Sequence, residues 1–93
     1  MIVSARVFIT GDVIGVGFRY WTIRKAKSLA LFGWVKNIYE PIKGVEAVFQ
    51  GDKKNVEEMI DLCKKGPLVS LVENVEIKWQ KGIEEFNGFK ILK

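Results

Sequence analysis

The stretch IVSARVFITGDVIGVGFRYWTIRKAKSLA, Ile2 to Ala30, changes rhythm twice, and the two changes decide the fold. From Ile2 to Thr10 the residues alternate: Val3, Ala5, Val7 and Ile9 fall on one side, and Ser4, Arg6, Phe8 and Thr10 on the other. That is the period of a strand with one buried face. Gly11, Gly15 and Gly17 then crowd a short segment that no regular element tolerates, which predicts a tight loop. Helical spacing begins at Phe18. Phe18, Thr22, Ala26, Leu29 and Ala30 mark a buried stripe, Arg24, Lys25, Lys27 and Ser28 face away, and the helix is expected to end near Gly33.

Working outward, Trp34 to Tyr39 is aromatic and β-branched enough for a second strand. Gly44 to Gln50 alternates Val45, Ala47 and Phe49 against Glu46, Val48 and Gln50, and the Glu40–Lys43 link makes these two strands a hairpin. Asp52 is an expected N-cap for a second helix. Its stripe of Val56, Met59, Ile60 and Cys63 has the i, i+3, i+4, i+7 spacing of a buried face, and Gly66-Pro67 stops it. A further strand runs from about Val72 to Lys81 with Val75, Ile77 and Trp79 inward, and Phe89 to Leu92 adds a short edge strand. The order βαββαβ predicts an α+β, ferredoxin-like sandwich: an antiparallel sheet with both helices on one face. That architecture hosts many activities, so function must come from a site.

Composition narrows the classes. The 93 residues make one expected domain, 1–93, and 48% hydrophobic with 28% charged residues is a globular balance. No run approaches the roughly 20 apolar residues of a membrane span, and the start MIVSAR lacks a secretory segment. A cytoplasmic chain without membrane association is the expectation. The single Cys63 excludes an internal disulfide framework, and the absence of histidine argues against zinc sites and Ser/His triads. No metal and no cofactor are expected. A net charge of +4 suits an anionic ligand without demanding one.

The segment TGDVIGVGFR, Thr10 to Arg19, carries the chemistry. A Gly-rich turn entering a helix aims several backbone N–H groups one way, and the helix start adds partial positive charge; phosphate is the natural ligand. Arg19 in the first helical turn opposes the helix dipole unless an anion lies between them, and its planar fork suits two phosphate oxygens. Read alone, the loop is more simply a strand-to-helix turn with a solvated arginine. Its glycines match neither G-x-G-x-x-G nor a Walker loop.

Taken together, TGDVIGVGFR, then GWVKN (Gly33–Asn37), GVEAVFQG (Gly44–Gly51) and GPLVSLVENVEI (Gly66–Ile77) resemble the acylphosphatase family over nearly the whole chain. The family usually has Gln where Ile14 stands, and the hairpin NIYEPIKGVE is longer than its usual connection. The resemblance implies a monomeric hydrolase of acyl phosphates, releasing carboxylate and inorganic phosphate. It also implies that the backbone of Ile14, Gly15, Val16, Gly17 and Phe18 cradles the phosphate, Arg19 holds it, and Asn37 positions the attacking water.

Elementary chemistry agrees with that implication. The leaving carboxylate has an acid pKa of about 4 and departs without a general acid. Phosphoryl transfer through a loose transition state needs charge stabilisation and alignment more than covalent help. Asn37 is no base, but its carbonyl can accept a hydrogen bond from water; by itself it also reads as a plain strand-end asparagine. Cys63 is assigned to the core and the lone Asp12 to a turn. Two other readings remain open: an acylphosphatase-like module with weak or no activity, and a nucleic-acid-binding domain of the same fold. Against the second, Val45, Ala47 and Gln50 occupy the positions where an RNA-recognition motif carries stacking aromatics.

Overall fold

In the computed structural model, which describes residues 1–93, the elements are β1 (Ile2–Asp12), α1 (Phe18–Ser28), β2 (Phe32–Ile38), β3 (Gly44–Asp52), α2 (Lys53–Lys65), β4 (Leu71–Gln80) and β5 (Phe89–Ile91). They form one sheet in the order β4-β1-β3-β2-β5. Among the first four strands every neighbouring pair is antiparallel, as expected. The fifth departs from that expectation: β5 runs parallel to β2, so the sheet is mixed. The chain leaves β4 at one edge and must reach the other edge before pairing. It crosses over Gln50, whose Nε2 donates to the Glu84 carbonyl at 2.7 Å and whose Oε1 accepts from the Glu84 amide at 3.1 Å. This contact buries Gln50, which alternation alone assigns to the open face.

Both helices pack on one face. Across the sheet, Val35, Ala47 and Val7 lie in register, as do Asn37, Val45 and Ile9. The five apolar members of those two rows are fully buried against Phe18, Thr22 and Ala26 of α1 and Val56, Met59, Ile60 and Cys63 of α2. Burying each large aliphatic or aromatic side chain contributes about 1.5–3 kcal/mol. Burial also pushes the Cys63 thiol up to about 12, which makes it a core side chain rather than a nucleophile.

Three local expectations are corrected. Helix α1 stops at Ser28 rather than near Gly33, because Ala30 turns left-handed (φ 55°) and the Ala30 and Leu31 amides close onto the carbonyls of Lys27 (3.1 Å) and Ala26 (2.9 Å). That bonding is the Schellman closure. Ala30 is therefore exposed, and Leu31 enters the core instead. Gly33 belongs to β2, where a side chain would start 1.8 Å from the Val48 carbonyl oxygen. Asp52 occupies the N-cap position of α2 but its side chain caps nothing; it binds the N-terminal amine at 3.3 Å. On β4, Ile77 and Trp79 remain 38% and 48% exposed, because β4 is the outermost strand and α2 covers its inner side only in part. No helix is long and apolar enough to cross a membrane.

Candidate active site

The segment from Val13 to Gly17 links β1 to α1, and its backbone alternates in hand. Gly15 and Gly17 have φ of 80° and 81°, while the residues between and beside them are right-handed or extended. A side chain at either glycine would meet nothing within 4 Å, so it is the backbone conformation, not crowding, that calls for glycine here. Ile14 and Val16 point their side chains onto the core and anchor the turn from below. Alternation of this kind gathers successive N–H groups into a concavity that suits an anion.

None of the amides from Val13 to Tyr20 donates to a backbone carbonyl; the first with such an acceptor is Trp21, bonded to Gly17 O at 3.0 Å. No side chain caps α1, and its first turn holds no acidic residue. Arg19 is half-buried and joins none of the ion pairs, which use Arg6, Lys36, Lys64 and the N-terminal amine. Free amides, the positive end of a helix and an unpaired guanidinium thus converge on one short segment. An unpaired cation there opposes the dipole at about 0.3–1 kcal/mol, a cost that a bound anion reverses.

Asn37 reaches the same end of the molecule by topology. Strands β1 and β2 are each antiparallel to β3, so they run parallel to each other and both finish at the loop end of the sheet. Asn37 lies in register with Val45 and Ile9, two strands away from β1, or roughly 10 Å at ordinary strand spacing. Its row is on the helix-covered face, over which α1 packs on β2 and β5. The start of α1, with Arg19, and the end of β2, with Asn37, are therefore brought to one corner of one face.

The carboxamide of Asn37 has a partner that sequence reading passed over: its Nδ2 donates to Tyr39 Oη at 3.3 Å, which leaves Oδ1 free to accept. The available signal was spacing, since residues two apart share a face at a strand end. The largest cavity, about 610 Å³, lies at the opposite end of the sheet beside Met1, Lys53, Trp79 and Ile83. The loop corner is an open cradle, suited to a small, highly charged group that is held by charge rather than enclosure. Asp12 is exposed at the end of β1, paired with Leu71, and Cys63 is buried under α2. Val45 and Ala47 face the helices rather than the open side of the sheet.

A family profile described as acylphosphatase matches residues 5–91. The chain belongs to the acylphosphatase family. It is 42% identical over 90 residues to an acylphosphatase of Trichormus variabilis, an alignment that spans 97% of this chain and 86% of the relative. Among solved structures, an acylphosphatase from Coxiella burnetii superposes with a TM-score of 0.91 at 30% identity, covering 98% of this chain and 93% of that one. Full-length HypF, solved in a phosphate- and nucleotide-bound form, superposes with a TM-score of 0.86 at 26% identity, but this chain spans only 12% of it. As an acylphosphatase, the chain is a hydrolase that converts acyl phosphates to carboxylate and phosphate.

Proposed function

We propose that the reaction runs in the loop corner by direct attack of water on phosphorus. The N–H groups of Ile14, Gly15, Val16, Gly17 and Phe18 and the guanidinium of Arg19 bind the phosphoryl oxygens, and Asn37 Oδ1 accepts a hydrogen bond from the water in line with the leaving carboxylate. The observation that carries this reading is the uninterrupted run of amides without backbone acceptors beside an arginine without an ion-pair partner. Donors fixed before the substrate arrives stabilise charge in the transition state without reorganisation. Tyr39, by holding the amide end of Asn37, keeps the carbonyl end turned toward the water.

The leaving group needs no proton and the water is positioned rather than deprotonated by a titrating base. Turnover should then proceed without added metal, survive EDTA, and vary little from about pH 6 to about pH 8. All the assigned groups come from one chain, so a single copy is a complete catalytic unit. The buried reduced Cys63 suits the cytoplasm, where we place the enzyme.

The test is a pair of variants assayed with a simple acyl phosphate and with inorganic phosphate as inhibitor. Arg19→Ala should abolish phosphate inhibition and cut kcat/KM by about 100- to 1,000-fold, whereas Asn37→Ala should cut kcat by about 100-fold and leave phosphate inhibition nearly intact. Undiminished turnover in both variants would refute the mechanism.

A further inference from the structure

Strand β1 outruns its neighbour at one end of the sheet. Ser4 pairs with Gln80, the last residue of β4, so Ile2 and Val3 lie beyond that strand's end, where the chain turns away through Gly82 at φ 82°. The start of α2 borders the same end: the Lys53 amide donates to the Met1 carbonyl at 2.9 Å, and the N-terminal amine is held by Asp52 at 3.3 Å. Here lies the cavity of about 610 Å³, a volume within the range of about 300–1,000 Å³ found for small-molecule sites.

Three features of this cavity are left unanswered by the chain itself. Its walls are apolar: Ile2, Val3, Trp79 and Ile83 line it, and Trp79 and Ile83 are 48% and 61% exposed. Its mouth is charged, because the exposed Lys53 and Glu57 line it one helical turn apart on α2, and neither belongs to any ion pair of the chain. A lysine four residues before a glutamate is the weaker orientation for pairing along a helix, so both charged heads are left uncommitted. Deeper in, Ser4 is only 5% exposed and its side chain makes no hydrogen bond. No sealed side-chain polar atom lacks a partner, so the Ser4 hydroxyl is open to the cavity that Ser4 lines. It is an unfilled hydrogen-bonding position.

We propose that this cavity binds a free aromatic α-amino acid whose ring carries one polar atom, such as tryptophan or tyrosine. The zwitterionic head matches the mouth: its carboxylate pairs with Lys53 Nζ and its ammonium with the Glu57 carboxylate. The ring lies against Trp79 and Ile83, where offset or edge-on contact with the indole is favourable, and its N–H or O–H meets Ser4 Oγ. A simple anion is repelled by Glu57, a simple cation is repelled by Lys53, and an aliphatic side chain leaves Ser4 unfilled. The cavity shares no residue with the loop corner, so this binding is independent of acyl phosphate hydrolysis.

Isothermal titration calorimetry with L-tryptophan should show saturable binding of one molecule per chain, and N–H shifts in NMR spectra should place it at Val3, Ser4 and the Trp79 indole. Tryptamine, which lacks the carboxylate, and indole-3-propionate, which lacks the ammonium, should each bind about threefold or more weakly. Lys53→Ala should weaken L-tryptophan by a similar factor and leave tryptamine unchanged, whereas Glu57→Gln should weaken L-tryptophan and not indole-3-propionate. Ser4→Ala should erase the preference for L-tryptophan over L-phenylalanine. Lys53 and Glu57 are exposed, and unchanged acyl phosphate turnover in their variants shows that the fold is kept. No saturable binding by the wild type, tryptamine or indole-3-propionate binding as tightly as L-tryptophan, equal losses for tryptamine and L-tryptophan in Lys53→Ala, or shifts confined to the loop corner would each overturn the proposal.

Discussion

The two strand-to-helix junctions of this molecule occupy equivalent places in the βαββαβ order and are finished in opposite ways. Between β3 and α2 nothing intervenes: Asp52 ends the strand, Lys53 starts the helix, and the Lys53 amide is taken by the Met1 carbonyl at 2.9 Å. Between β1 and α1 the residues from Val13 to Gly17 curl through two left-handed glycines, and the amides that follow find no backbone acceptor. Both first helical turns carry a cation and neither carries an acid, though Asp52 precedes that of α2. The first amide of α2 is answered by the chain's own backbone, whereas at α1 a run of amides on either side of the helix start is left open.

The cations at the two helix starts should respond to removal very differently. Arg19→Ala should cost the 100- to 1,000-fold in kcat/KM given above, equivalent to about 3–4 kcal/mol of transition-state stabilisation. Lys53→Ala at the other junction should change kcat/KM by less than about twofold in the same assay. Comparable losses at both would mean that general positive charge, not the cradle, drives catalysis.

Backbone hand gives a smaller and sharper effect. Gly17→Ala forces a side chain into φ 81° and should destabilise the protein by about 1–2 kcal/mol in urea unfolding. It should also weaken inhibition by phosphate, since the cradle relaxes toward ordinary φ. If stability falls but phosphate inhibition is unchanged, the loop is only a turn.

The helix of the closed junction should show its structural role through pH. Cys63 ionises near 9.0 when unfolded and at about 12 when folded, so the neutral thiol favours the folded state fully below pH 9 and progressively less as pH rises from 9 toward 12. This group's slope is at most about 1.4 kcal/mol per pH unit. Urea unfolding of the wild type and Cys63→Ala, compared from about pH 8 to about pH 11, should show the wild-type advantage shrinking above pH 9. A constant gap would contradict the burial. Smallest of all, Asp52→Ala should cost under about 0.5 kcal/mol by thermal unfolding. Its carboxylate makes an exposed contact with the N-terminal amine and no capping bond.

Most of the architecture was legible because its signals are local and periodic. The alternation of β1, the stripe Val56, Met59, Ile60 and Cys63, and the burial of Val45, Ala47 and Phe49 all follow from how side chains leave a strand or a helix. The misreadings fall where a distant segment intervenes. Gln50 read as open-face and is buried by Glu84, more than thirty residues away. Trp79 read as inward and stands half exposed because no strand flanks β4 on its outer side. Asp52 read as a cap and was claimed by the N-terminus. In the candidate site, Ile14 stands where the family resemblance implies Gln; its side chain packs on the core, and the cradle proposed above would need only its backbone.

By itself the sequence determined the element order, the buried stripes and the glycine-bent loop, because each depends on residues within one or two turns of one another. Tertiary structure alone decided that Arg19 and Asn37 come to one corner, that the last strand runs parallel to β2, and that β4 is left at an open edge. Those outcomes depend on strand order and on which segment covers which, and strand pairing is a relation between segments whose partners lie tens of residues apart.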